Sequence, residues 1–502
     1  MSVDADRLYR FAPRDRAGWI LGLGASQCLT LAAGLLISTV FVSSSAPIEI
    51  AVVPLASAGI LAFARWHGRP LHSWLPVFAG WTLLGAHRQR RWTARVPLLG
   101  ECGDWRCAAL PPFLAGLEIL EASAAWTRRQ RLGSVGLVAD RREHLLSGVL
   151  RVQGREFALV ERTEQDRLLA GWGDVLAGFC RERNAVARVA WSEWSAPAGL
   201  EEHLRFVESE AIAPTGSVHR DAYAELLEGA GPMTTRHEVL LTVTVDTRRT
   251  RITRDPNVAL DDAFADLVLE ELRLLSTRIE DAGLAVDAPL SPGEVREALR
   301  VRLDPTVLHG FATRARAGFD QGLVSEHNFG PLAVDVELAQ VRVDGSWHRS
   351  YWIAEWPRLE LHPAWMESLL LHAGGVRTIT MVYEPVPPSR SQRQIDRDAT
   401  RLASDEEQRA KRGFRIGARH RRAEAAVLER ESELVAGYAE LEFAGFMSVT
   451  ASERGHLETA CAEYEQVAAQ AGLELRSLDG QHDAGVGACL PVGRYPTARR
   501  FV

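Results

Sequence analysis

The residues best able to do chemistry in this chain are few, and their spacing is wrong for the reactions they would serve. "HEVLL" at His237 supplies half of the zinc-protease pattern H-E-x-x-H, with no second histidine one helical turn on. Cys102 and Cys107 make a loose C-x4-C without a second pair at zinc spacing. With Cys28, Cys180, Cys461 and Cys489 they read as free structural thiols in a reducing compartment. Lys411, in "AKRGF", is the only lysine, so neither a phosphate-binding P-loop nor a Schiff base has a residue to use elsewhere. No G-x-S-x-G occurs. The glycine-rich "DAGVGACLPVG" has no following helix whose amides would hold a phosphate. His67 and His72 lack a neighbouring carboxylate in sequence. The expectation is a protein that is not an enzyme and has no catalytic residue, cofactor or metal.

Arginine carries nearly all of the positive charge, and it is densest between Arg390 and Arg430. Asp396, Asp398, Asp405, Glu406, Glu407 and Glu424 are interleaved there, a mixture that describes a solvated helix laced with i,i+4 pairs. The functional reading of the same segment is a docking surface for an acidic protein partner, formed by Arg393, Arg397, Arg401, Arg412, Arg419 and Arg422. A net charge of −7, no single-sign run and no interleaved aromatics argue against nucleic acid.

These residues need elements to hold them. At 502 residues, with 46% hydrophobic and 25% charged residues, the chain has room for two or three globular domains. A mean hydropathy of −0.09 excludes a polytopic transporter. The front is different. No charge interrupts Ala17–Ile48, and the spans 17–42 and 48–64 are separated only by the polar kink "SSSAPIE". The first run exceeds the 7–15 residues of a signal-peptide core, and a second apolar run follows it. Small residues Gly22, Gly24, Ala25, Ala32, Ala33 and Gly34 would let two helices approach closely. Arginines flank both outer ends and none lies between, so a transmembrane hairpin with both termini cytoplasmic is expected in the inner or plasma membrane. Trp74, Val77, Phe78, Trp81 and Leu84 form one stripe of an expected interfacial helix over 71–88. Trp19, Arg65, Trp66, Trp74, Trp81, Arg88, Arg90 and Arg91 are the expected contacts with lipid at the interface.

Behind this 1–95 region, strands and helices alternate through two expected cytosolic α+β subdomains, 96–232 and 233–502. "LLSGVLRVQGREFALV" reads as a hairpin turning at Gln153-Gly154, followed by a helix capped by Thr163 and the strand "AVARVAWSEW". Ser291 and Pro292 open a helix, and 390–437 reads as one long charged helix. "AELEFAGFMSVT", a helix with a Thr450/Glu453 capping box, and "LELRSL" form a split β-α-β of ferredoxin-like type. The fold class is thus a membrane-anchored α+β protein, a transmembrane helical hairpin followed by ferredoxin-like α/β subdomains.

The hairpin, "WHGRPLHSW", "FGPLAVDVELAQVRVDGSWHRSYWIAEWP", the arginine-rich segment and "FAGFMSVTA…LPVG" resemble an actinobacterial family of two-span membrane proteins. That family is similar to a PrgI-like membrane subunit of type IV secretion systems fused to the non-catalytic amino-terminal domain of the secretion ATPase. The resemblance implies a secretion or conjugation component in a hetero-oligomer. Its partners would be membrane lipid, other apparatus subunits and a separate motor ATPase. The alternatives are a type VII secretion accessory subunit resembling EccE, with a similar amino-terminal pair of spans, and a membrane-associated enzyme.

Overall fold

The computed structural model describes residues 11, 24–44, 47–66, 69–87, 89–94, 110–122, 133–153, 157–197, 216–230, 235–250, 260–308, 329–411 and 417–496, with four single positions between 207 and 214. It is a mixed α+β molecule built on one large antiparallel sheet. A small ladder of β1 (Arg65–Trp66) and β2 (Arg69–Pro70) stands apart. The large sheet takes β3 (Arg91–Thr93), β4 (Leu117–Glu121), β5 (Gly136–Asp140), β6 (Leu145–Gln153), β7 (Val186–Pro197), β8 (Thr235–Asp246) and β9 (Ala285–Pro289). It continues with β10 (Ala333–Val336), β11 (Val341–Val343), β12 (Ser346–Glu355), β13 (Val376–Val386), β14 (Glu440–Ala451) and β15 (Glu474–Ser477).

The same succession of elements occurs twice. The strands β6 to β9 lie side by side as β9-β6-β8-β7, and β12 to β15 lie as β15-β12-β14-β13. Antiparallel pairing of β7 with β13 joins the two sets. In each repeat a preceding hairpin covers only part of the first strand. The β4·β5 pair takes residues 145–148 of β6 and leaves 150–153 to β9; β10·β11 takes 346–348 of β12 and leaves 351–355 to β15. The helices repeat as well. Arg162–Ala177 and Leu260–Asp281 serve the first repeat, Glu367–Leu370 and Arg454–Gln470 the second. Each repeat closes on a short helix, Pro292–Leu303 or His482–Ala488. The two long helices end on the same tripeptide, Ala282-Gly283-Leu284 and Ala471-Gly472-Leu473, with glycine φ of +85° and +78°. In both, the leucine amide donates back to a last-turn carbonyl, Ile279 or Ala468, closing a Schellman cap that needs the left-handed glycine.

Alternation along the strands builds two cores. On one face Leu150, Leu241, Val243 and Val245 meet Val268, Leu272, Leu275 and Ile279 of the 260–281 helix. Gly148 is required there, because a Cβ would collide with Leu272. In the second repeat Tyr351, Ile353, Ile379 and Met447 meet Leu457, Cys461 and Tyr464. The other face holds the short helices and is concave. Pro292 lies against Gly136 of β5, while Arg300, two turns on, forms a 2.6 Å ion pair with Asp344 beside β11. Seven strand spacings separate β5 from β11, about 34 Å in a flat sheet. Eight helical residues advance only about 12 Å, so the sheet rolls up around the 292–303 helix.

The segments following the short helices then cross to the opposite repeat. Leu303 and Asp304 lie over β12, where Leu303 O accepts from His348 Nε2 (2.9 Å) and Asp304 accepts from the Ser346 hydroxyl (2.7 Å). Residues 490–495 lie over β6 and β8. Gly493 (φ +71°) fills a spot where a Cβ would collide with the Ser147 and Thr244 hydroxyls, and Arg494 pairs with buried Asp140 at 2.6 Å. Ser147–Thr244 and His348–Thr450 are matching cross-strand hydrogen bonds, both 2.9 Å, each beneath the other repeat's tail.

His348 donates from Nε2 and accepts the Thr450 hydroxyl at Nδ1, so it is neutral, and burial lowers its pKa from 6.5 to about 4. The unfolded chain therefore binds the extra proton between those values. Stability from this site is full above pH 6.5 and is lost as pH falls toward 4, by roughly 3 kcal/mol. Urea unfolding at pH 7 and pH 4.5 should show a drop that His348→Gln makes smaller, buried His482 keeping its own share; an equal drop in both proteins rejects this assignment.

Several local expectations change. The hairpin before the 162–177 helix turns at residues 141–144, and Gly154 of the expected Gln153-Gly154 turn lies outside the described residues. Asp140 accepts the amides of Arg142 and Glu143 there, and His144 takes φ 58°, whereas Phe157–Leu159 is a 3-10 turn. The 162–177 helix is capped at Glu161 rather than Thr163. Ser291 caps its helix with Pro292 behind it, as expected, and Glu294 completes a capping box there. The single helix of 390–437 is two, Pro388–Lys411 and Ala418–Val435, and 454–470 starts without a side-chain cap. The expected subdomain boundary at 232/233 falls between β7 and β8, which pair along their length. β14 and β15 lie on either side of β12.

Candidate membrane anchor and partner surface

Ala25–Ser43 is the one described helix long and apolar enough to cross a membrane, about 28 Å at 1.5 Å per residue. Ile48–Phe63, at 16 residues, is shorter. The two run against each other through small side chains: Gly34 faces Pro54 and Ala58, so that a Cβ would lie 3.0 Å from Pro54 O and collide with the Ala58 methyl. Ser38 donates to Ala51 O (2.7 Å) and Gln27 to Ala62 O (3.0 Å), satisfying polar groups within the seam. The outward surface is almost wholly apolar, with Leu29, Leu36, Val40, Ile48, Val53 and Ile60 exposed. Gly34→Leu should splay this seam, and disulfide formation between cysteines placed at 38 and 51 should fall at least tenfold. Unchanged cross-linking would discredit the close approach.

The hairpin leads into a tryptophan cluster. Trp74 packs against Trp66 and Phe78 in tilted pairs, with ring centroids 4.7 and 5.6 Å away, and donates to Trp66 O. The Trp74–Ala86 helix then turns Val77 and Trp81 onto Gly480 of the body. The Arg90 guanidinium lies 3.4 Å over the Trp81 ring and donates twice to Trp81 O. This corrects the expected lipid-facing stripe. Trp74 is 2% exposed, and Trp74, Trp81 and Arg90 face protein because the widest apolar stripe goes to the core; Leu75 and Leu83 are left outside. Arg65 and Trp66 are exposed, and Arg91 reaches Asp335 at 3.2 Å. Trp19 and Arg88 lie outside the described residues. Phe11 sits among Trp356, Trp365 and Phe443 with centroids 5.0 to 5.7 Å apart, tying the chain ahead of the first helix to the second repeat.

The arginine segment rises from the β13–β14 connection. Arg390, Arg393, Arg397 and Arg401 recur at three- and four-residue spacing on the 388–411 helix, exposed along a broad groove of about 800 Å³. Arg390 lies 3.6 Å from Glu442 and Arg393 donates to Ser389 O, while Arg397 and Arg401 have no acidic partner among the described residues. Arg430 ties the two helices to the sheet through Asp398 (3.5 Å) and Glu440 (2.5 Å). Arg422 is exposed on the second helix, on which Arg419 also falls, and Arg412 lies outside the described residues. Three of the six expected arginines therefore share one face. Arg390, which the same spacing would have found, joins them.

One polar cluster has no sequence signature. His237 Nδ1 lies 2.7 Å from Glu193, its Nε2 lies 2.8 Å from the Thr235 hydroxyl, and Glu193 is bound by Arg377, which also donates to Leu370 O. A hydroxyl, imidazole and carboxylate in line imitate a nucleophilic triad. The hydroxyl here belongs to the same strand two residues away, and the carboxylate is committed to a wholly buried guanidinium. The cluster neutralises Arg377 inside the fold. Among the described residues no three His, Cys, Asp or Glu side chains converge as for a metal. Cys180, Cys461 and Cys489 are buried, and burial pushes the Cys489 thiol up to about 12. Cys102 and Cys107 lie outside the described residues. "HDAGVGA" does form a helix, but it is seven residues long and buried in the concave core. No known family model matches this chain, and no curated protein matches it.

Proposed function

We propose that this chain is a non-enzymatic integral membrane component of a type IV-like secretion or conjugation apparatus, holding a cytosolic platform that recruits a separate motor ATPase. The observation that carries the anchor is the 25–63 hairpin. It is bonded along its inner seam, apolar over its outer surface, and joined to the body by the Trp66–Trp74 cluster. The second helix spans about 24 Å, short of roughly 30 Å of hydrocarbon, a mismatch that tilt or local thinning absorbs. The arginine flanks support an orientation with both termini on the cytoplasmic side. We read each strand quartet, with its β-α-β-β-α-β order and 4-1-3-2 spatial arrangement, as a ferredoxin-like unit. The exposed Arg390–Arg401 face is the assigned contact for an acidic partner.

Alkaline carbonate extraction of membranes with protease protection tests the anchor. The protein should stay in the pellet, with its body accessible only from the cytoplasmic side; release into the wash rejects it. Isolation in mild detergent tests the partner. A co-purifying ATPase lost on Arg397→Glu/Arg401→Glu supports the assignment, and an unchanged yield removes the arginine face from it.

A further inference from the structure

The repeat differs between its two copies at one edge of the sheet. In the second copy the outer edge of β10 is paired with β3, in register Val334↔Trp92 and Asp335↔Arg91, with an Arg91–Asp335 ion pair of 3.2 Å. The corresponding strand of the first copy is β4. Pairing through β5 and β11 onto β6 and β12 aligns Leu117 with Val334, Glu118 with Asp335 and Ile119 with Val336. Among the described residues no strand pairs the outer edge of β4.

We propose that the β4 edge is a strand-acceptor site for a short, extended, arginine-bearing segment of a partner protein. The arginine would lie opposite Glu118 and a bulky apolar residue next to it opposite Leu117. Three observations fix that chemistry. The acid is kept at the matching position, Glu118 for Asp335. Among the described residues Glu118 is paired with Arg141 alone, at 2.9 Å with both side chains about half exposed, a pair a partner guanidinium can replace at little cost. Ile119 is only half-buried where Val336 is 5% exposed, so apolar surface remains for a covering strand. Backbone pairing would supply affinity and the flanking side chains specificity. The inference concerns the body alone and is independent of the membrane assignment.

The probe is a labelled peptide with the sequence of residues 88–96, RQRRWTARV, titrated against full-length protein in detergent by fluorescence anisotropy. Saturable binding that Glu118→Arg weakens at least tenfold, while Asp335→Arg leaves it within twofold, supports the site. Thermal melting of each variant serves as the folding control. Absence of binding to the wild-type protein overturns the proposal and leaves the edge covered by the chain's own residues. Binding lost on Asp335→Arg but kept on Glu118→Arg also overturns it, since the peptide then only exchanges with β3.

Discussion

Truncation after Cys489 should unfold the first repeat, although everything removed lies more than 200 residues downstream of β8 in sequence (about 245 from Asp246). Leu490 and Val492 are 1% exposed and Tyr495 is buried, all on the concave core, and fully burying such side chains contributes about 1.5–3 kcal/mol each. The sum, about 5–9 kcal/mol, rivals the entire stability of a typical domain. It also leaves Asp140 without Arg494 and bares the Ser147–Thr244 line. Limited proteolysis in detergent should cut within 117–303 while the 454–470 helix and β15 persist. Arg494→Met alone should be much milder, since Asp140 keeps two backbone donors. A truncated protein that melts within a few degrees of the full chain refutes the crossed-tail account.

Arg377→Met should cost about 3–5 kcal/mol, because it leaves the buried Glu193 carboxylate without its counter-ion. The double variant Arg377→Met/Glu193→Met should recover most of the stability, since two apolar side chains replace a pair whose desolvation offset much of its attraction. Thermal unfolding of the three proteins decides this. A single variant within about 1 kcal/mol of wild type would show that Glu193 is not held by Arg377.

Much of this fold is legible in the sequence where one element decides its own form. The period-two run at Leu240–Val245, the apolar stripe of 260–281 and the Ser291-Pro292-x-Glu294 start all form as their patterns dictate. The 74–86 stripe was legible as a helix but not as to which medium it meets, because lipid and protein core select the same side chains. The Glu193–His237–Arg377 cluster was invisible, since 184 residues separate Glu193 from Arg377 and pairing of β7 with β13 alone brings them together. The repeat had a faint signal in the twin Ala-Gly-Leu caps, which alignment by composition would miss because the intervening loops differ in length. Of the candidate surface, the arginine spacing showed the stripe, and only the fold shows which arginines lack an acid.

Crossing tails impose an order on biosynthesis. Arg494 leaves the ribosome 354 residues after Asp140, a delay of roughly 20–70 s at ordinary elongation rates. Once Leu303 has emerged as well, the first repeat is wholly translated yet missing its inner lining, a nascent intermediate with bare apolar surface that a chaperone would recognise. The amino-terminal hairpin is made long before, so the growing chain waits for its own completion already committed to wherever that hairpin has gone.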